Sequence, residues 1–149
     1  MDDQAIEQEI QAKGKTAPRI TPAHIQATIR TAYYFTAAQG VDGADVQAIR
    51  EATPNQETSW CPLNDDADPA KTAMAPLMLL TFCVLVLRNG FTVTGESACA
   101  SPENFDAEIG RKIARQNAEA KIWALEGYAL KQRLHDCEMY DRATAAHLA

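Results

Sequence analysis

The chain lacks any long apolar run. No stretch approaches the ~18–20 unbroken apolar residues of a bilayer-crossing helix, so no membrane span is expected. It also lacks an excess of positive charge. Fourteen Lys and Arg stand against 20 Asp and Glu, a net charge of −6. That argues against a general duplex-DNA binder, which needs a basic footprint to neutralise phosphates, while leaving room for a local basic pocket for a small anion. Cysteine pairs are missing too: Cys61, Cys83, Cys99 and Cys137 are spread singly. No C-x-x-C occurs, nor any Cys/His set at zinc-finger spacing, so free thiols in a reducing compartment are expected. The opening MDDQAIEQEI is acidic and polar. A secretory signal needs a basic start and an apolar run, so the expected location is the cytoplasm. No internal repeat is visible.

Catalytic signatures are absent as well. There is no G-x-S-x-G, no Walker loop and no H-E-x-x-H. His135-Asp136-Cys137 contains the residue types of a nucleophilic triad, but adjacent residues on a helix point in different directions, whereas a triad must converge. His24 and His147 have no carboxylate or thiol at ligand spacing. Asn64-x-Asp66-x-Asp68 starts like a calcium loop, yet Pro69 and Ala75 stand where Gly and a bidentate Glu are needed. The sequence therefore predicts no enzyme, no metal and no cofactor.

What is present is an ordinary globular composition: 149 residues, 46% hydrophobic and 23% charged, the size of one domain. Asp3 to about Ala12 reads as a helix, with Asp2 or Asp3 as cap, Ile6 and Ile10 on one face, and Gly14 as breaker. Thr21-Pro22 opens a second helix as cap and first helical residue. Its stripe is Ile25, Ile29, Ala32 and Tyr33, and its predicted end is near Phe35. Residues 40–76 are weakly periodic and contain Gly40, Gly43, Pro54, Pro62, Pro69 and Pro76. They read as a long loop with room for a short helix at Asp45–Ala52.

Leu77 to Leu87 gives the strongest strand signal, and Arg88-Asn89-Gly90-Phe91 predicts a two-residue type I′ hairpin turn. That turn pairs Arg88 with Phe91, Val86 with Val93, Val84 with Gly95 and Phe82 with Ser97. The opposite face then carries Leu87, Leu85 and Cys83 against Thr92, Thr94 and Glu96. The first strand is apolar on both faces. Another strand, the helices or a second subunit must cover the second face, and a homo-oligomer is expected. Ser101-Pro102-Glu103 opens the last helix, with Ser as cap. It is expected to run to the low 130s, with Phe105, Ile109 and Ile113 as its apolar stripe and Gly127 as an interruption or kink. The predicted fold class is α+β: an N-terminal helix, an antiparallel β-hairpin or small sheet, and a long C-terminal helix. Residues 1–149 form a single domain, with an N-terminal helical extension (1–20), a loop-rich excursion (42–76) and a hairpin-plus-helix core (77–134).

Arg111, Lys112, Arg115 and Lys121 are the most informative charged group. Arg111 and Arg115 lie one helical turn apart, and guanidinium forks bind phosphate or carboxylate oxygens bidentately. A solvated helix face is the alternative, with Arg111 or Lys112 paired to Glu108 and Arg115 to Glu119. Aromatics such as Phe91, Phe105, Trp123 and Tyr128 are more often core residues than base-stacking platforms.

Several motifs carry a resemblance. These are Asn89-Gly90-Phe91, Glu96-Ser97-Ala98-Cys99, Pro102-Glu103-Asn104-Phe105-Asp106, Ile109-Gly110 and Trp123-Ala124-Leu125-Glu126-Gly127-Tyr128. The block resembles small tailed-phage proteins of the gp-forty-nine type, closely over Leu79–Leu134 and more loosely over Ile20–Val41. The hairpin-plus-helix plan is more distantly similar to phage proteins that inhibit the Thoeris defence system. That resemblance implies a sponge that holds a cyclic ADP-ribose-type signal or a cyclic oligonucleotide without cleaving it, assembles with itself, and works in the cytoplasm of an infected or lysogenic host. The chemistry of such a site needs an aromatic to stack the base and Arg forks for the phosphates. Phe91, Arg111 and Arg115 fit those roles, with Asn104 and Glu96 as polar readers. The competing expectation is a homo-oligomeric phage structural or interaction protein with no small ligand.

Overall fold

The structure, a computed structural model, describes residues 3–52 and 69–147. The acidic segment Asn64–Asp68 and Cys61 lie outside the described residues. In chain order the elements are α1 (Asp3–Ala12), α2 (Pro22–Thr28), β1 (Ile29–Thr36), α3 (Ala37–Ala52), α4 (Pro69–Met78), β2 (Leu80–Leu87), β3 (Thr92–Ala98), a 3-10 turn (Pro102–Asn104) and α5 (Ala107–His147). The strands form one antiparallel sheet in the order β1-β2-β3, and the fold class is α+β. Among the described residues, no helix is long and apolar enough to cross a membrane.

Two compact units divide these elements. The first contains residues up to Thr31, Val86–Val93 and residues from Glu119 on; the second contains Ala32–Leu85 and Thr94–Ala118. In the first, α1 ends in a Schellman motif. The Gly14 N–H reaches the Gln11 carbonyl, the Lys15 N–H reaches that of Ile10, and Gly14 takes φ +64°. Thr21 caps α2, its hydroxyl accepting from the His24 N–H at 3.2 Å. Ile25, Leu87, Val93 and Ile122 are the buried apolar residues of this unit.

The second helix is much shorter than its stripe predicts. It stops at Thr28, and Ile29–Thr36 is a strand. Ile29, Thr31, Tyr33, Tyr34, Phe35 and Thr36 are the β-branched and aromatic types that fit a pleated surface. The Arg88 N–H donates to the Thr28 carbonyl at 2.9 Å, pairing the start of β1 with the end of β2. Along β1 the half-buried positions are Ile29, Thr31, Ala32, Tyr34 and Thr36. Two in succession, Thr31 and Ala32, break the period of two. Tyr33, a member of the predicted helical stripe, is 58% exposed on the strand. The helix allowed at Asp45–Ala52 is the second half of α3, and α4 enters residues 42–76 from the other side. Met78 ends α4, so β2 starts later than the strand expected from Leu77.

The hairpin turns where Asn89-Gly90 predicts, but with three loop residues instead of two. The Leu87 N–H donates to the Phe91 carbonyl at 2.8 Å, and the Gly90 N–H donates to the Leu87 carbonyl at 3.0 Å. Gly90 alone takes positive φ, +87°. Asn89 stays out of that region, with its Oδ1 accepting from the Phe91 N–H at 3.0 Å. This is the three-residue hairpin with a glycine bulge, not type I′. The register moves by one residue, and every cross-strand partner changes face. Leu87 now opposes Phe91, and Cys83 opposes Gly95. At the far end of the hairpin the Cys99 N–H meets the Leu79 carbonyl at 3.0 Å in the same register. Thr81, Cys83, Leu85 and Leu87 are buried on one face of β2, while Phe82, Val84 and Val86 on the other are half-buried.

In the second unit α5 covers the buried face. Its inward row is Gly110, Ala114 and Ala118, spaced four apart, and both alanines are fully buried. A Cβ built on Gly95 would lie 2.2 Å from the Ala114 carbonyl oxygen and 2.4 Å from the Ala118 nitrogen. Backbone therefore meets backbone at this crossing. The stripe expected at Ile109 and Ile113 points elsewhere: those residues are 55% and 41% exposed. Asp106, not Ser101, caps α5, its Oδ1 accepting from the N–H groups of Glu108 and Ile109 at 2.8 and 2.9 Å. The helix runs without interruption through Gly127 to His147.

Candidate functional site

Arg111 and Arg115 each follow an inward residue of α5, Gly110 and Ala114, and so flank the line of contact with the sheet. Arg111 is exposed and has no hydrogen-bond or ion-pair partner among the described residues. The Glu108 carboxylate pairs with Lys112 instead, at 2.6 Å. Arg115 is half-buried, and its Nη1 donates to the Tyr34 hydroxyl at 3.2 Å. This contact joins α5 to β1 across 81 residues of sequence. Tyr34 falls within the helix that the sequence predicts, so residue spacing gives no sign of this contact.

The remaining residues singled out by sequence lie as follows. Glu96 is exposed on β3, and its carbonyl accepts from Asn117 Nδ2 at 2.8 Å. Asn104 is exposed in the 3-10 turn, its Nδ2 donating to Ser101 Oγ at 3.0 Å. Those two residues and the arginine pair belong to the second unit. Phe91 belongs to the first and is 54% exposed beside the hairpin turn.

Chemically, the second unit offers a guanidinium without a partner among the described residues, a second guanidinium one turn away, and a phenol held by it. These groups suit an oxyanion. Among the described residues, no three His, Cys, Asp or Glu side chains gather as metal ligands would. His135 and Asp136 are exposed and 3.5 Å apart, and the neighbouring Cys137 is exposed too.

A concavity lies in the first unit: an open cleft of about 570 Å³ whose lining includes Asp3, Glu7, Gln11, Thr21, Gln26 and Glu119. Its carboxylates make it unsuited to phosphate. Glu7 is bound by Arg19 through Oε1–Nη2 (2.5 Å) and Oε2–Nε (3.3 Å). The Arg19 guanidinium, followed by the Gln11 amide, holds the Glu7 carboxyl below the usual carboxylate range, and Glu7 raises Arg19 in return. Sequence spacing also misses a contact here. His24 Nε2 lies 2.9 Å from Glu126 Oε2, 102 residues away.

In comparisons with known proteins, the model of the phage protein (N4 Gp49/phage Sf6 gene 66) family matches residues 20–134. No curated protein and no solved structure matches the chain.

Proposed function

Since the chain belongs to the phage protein (N4 Gp49/phage Sf6 gene 66) family, we propose that it is a phage or prophage accessory protein that binds and sequesters a nucleotide signal of host immunity. The ligand is of the cyclic ADP-ribose type or a cyclic oligonucleotide, and it is held without being cleaved. One observation carries the proposal: Arg111, exposed and without a partner among the described residues, stands one turn from Arg115 on α5. Charged hydrogen bonds from guanidinium groups to phosphate oxygens supply both affinity and geometry. Holding asks nothing more of the site than donors and a surface for the base. The protein acts in the cytoplasm of the infected or lysogenic cell, where such a signal is made.

The test is to incubate the protein with a panel of cyclic nucleotides and ADP-ribose isomers, remove free ligand, and denature the protein. Recovery of one intact ligand in stoichiometric amount supports the proposal. Recovery of a cleaved product, or of nothing, refutes it. A second reading, a self-associating structural protein, is favoured by the exposure of large apolar residues, among them Tyr33 (58%), Tyr128 and Tyr140 (both 73%). Light scattering that finds only monomer at tens of micromolar counts against that reading.

A further inference from the structure

We propose that Tyr34 is a third oxyanion-binding group of this site, donating its hydroxyl proton to a phosphate oxygen; the inference rests on the nucleotide-binding reading above. Tyr34 Oη accepts from Arg115 Nη1 at 3.2 Å. A phenol both accepts and donates, and the Tyr34 O–H has no acceptor among the described residues. The side chain is half-buried on β1, where a donor without an acceptor is costly unless a ligand or water takes it. Accepting a bond from a cationic guanidinium also polarises the O–H and strengthens it as a donor.

The surroundings narrow the ligand further. The Arg111 and Arg115 guanidinium groups carry N–H donors and no acceptor. Donors of this kind, two of them cationic, select an oxyanion over a cation or over the donor edge of a base. Tyr34 is one of the half-buried positions of β1, and its hydroxyl lies within reach of Arg115. Tyr34, Arg111 and Arg115 all belong to the second unit.

The experiment is calorimetric titration of the wild type and of Tyr34→Phe with cyclic ADP-ribose, cyclic di-AMP and inorganic pyrophosphate at low salt. Tyr34→Phe removes only the hydroxyl. Its expected effect is about a tenfold loss of affinity for whichever phosphate probes the wild type binds, with the far-ultraviolet circular dichroism unchanged. Should Tyr34→Phe not fold, wild-type protein carrying 13C at tyrosine Cζ decides: the Tyr34 resonance is expected to move on saturation with the bound probe. Unchanged affinity in Tyr34→Phe, or an unmoved Tyr34 resonance in the saturated wild type, overturns this inference and leaves nucleotide binding standing. Failure of the wild type to bind any of the three overturns both.

Discussion

Two glycines of this chain have opposite roles, and their substitution separates them. At Gly95 the backbone of α5 lies where a Cβ would go, and the atoms it would meet are the Ala114 carbonyl oxygen and the Ala118 nitrogen and Cα. Main chain cannot swing aside as a side-chain tip can. Gly95→Ala is therefore expected to destabilise the protein by about 3 kcal/mol, the upper end of ordinary overpacking, read as a fall in the urea midpoint. Gly127 sits inside α5 with nothing near its missing Cβ. Gly127→Ala is expected to stabilise by about 1 kcal/mol through helix propensity alone. Glu7 makes a pH prediction of definite sign. Its folded carboxyl is held below the usual carboxylate range by Arg19. The contribution is present above the unfolded-state value and is lost as pH falls through the folded one. Raised in turn, Arg19 would lose its part only at strongly alkaline pH. Thermal melts of wild type and Glu7→Gln should thus differ at neutral pH and converge in acid, by a small margin because the pair is near the surface.

At the scale of elements, the hairpin turn depends on one residue. Gly90 takes φ +87°, and an L side chain there is strained, so Gly90→Ala is expected to cost about 1–2 kcal/mol in chemical denaturation. Asn89→Ala, which loses only the Phe91 N–H to Oδ1 bond, should cost less. The turn was legible in the sequence because Asn-Gly is a strong local signal, but its length was not. Both loop types suit that dipeptide, and the choice between them is made by pairing along the whole hairpin. The helix expected at Asp3–Ala12 has those bounds, since its breaker, Gly14, acts within its own turn. The segment over β1 suggests a helix because Ile25, Ile29, Ala32 and Tyr33 recur at helical spacing, yet Ile25 lies on α2 and the other three on β1. The inward row of α5 was misread because close packing against Gly95 demands small residues. Gly110, Ala114 and Ala118 carry no strong hydropathy, so the eye goes to Ile109 and Ile113. As for the candidate site, the one-turn spacing of Arg111 and Arg115 was readable directly. Tyr34 was not, because its contact spans 81 residues.

For the molecule as a whole, the sign and placement of charge decide which anions can approach. The net charge is −6, yet α5 carries Arg111, Lys112, Arg115 and Lys121 within eleven residues. A long polyanion experiences the whole acidic surface along its length. A small nucleotide experiences mainly what lies within a Debye length, about 8 Å at physiological salt. The same protein should therefore bind a small phosphate ligand and reject duplex DNA. Lys112 is engaged by Glu108 at 2.6 Å, so Arg111 is the residue through which salt should act most strongly. Affinity for the proposed nucleotide ligand is expected to fall as salt rises, and Arg111→Ala should flatten that dependence while costing roughly 1.5–3 kcal/mol of binding at low salt. Fluorescence anisotropy with a labelled 20-base-pair duplex at 0.15 M salt should show no binding. A duplex affinity that falls steeply with salt would mean that several basic residues neutralise phosphates together. α5 would then be a nucleic-acid surface and not a site for one small anion.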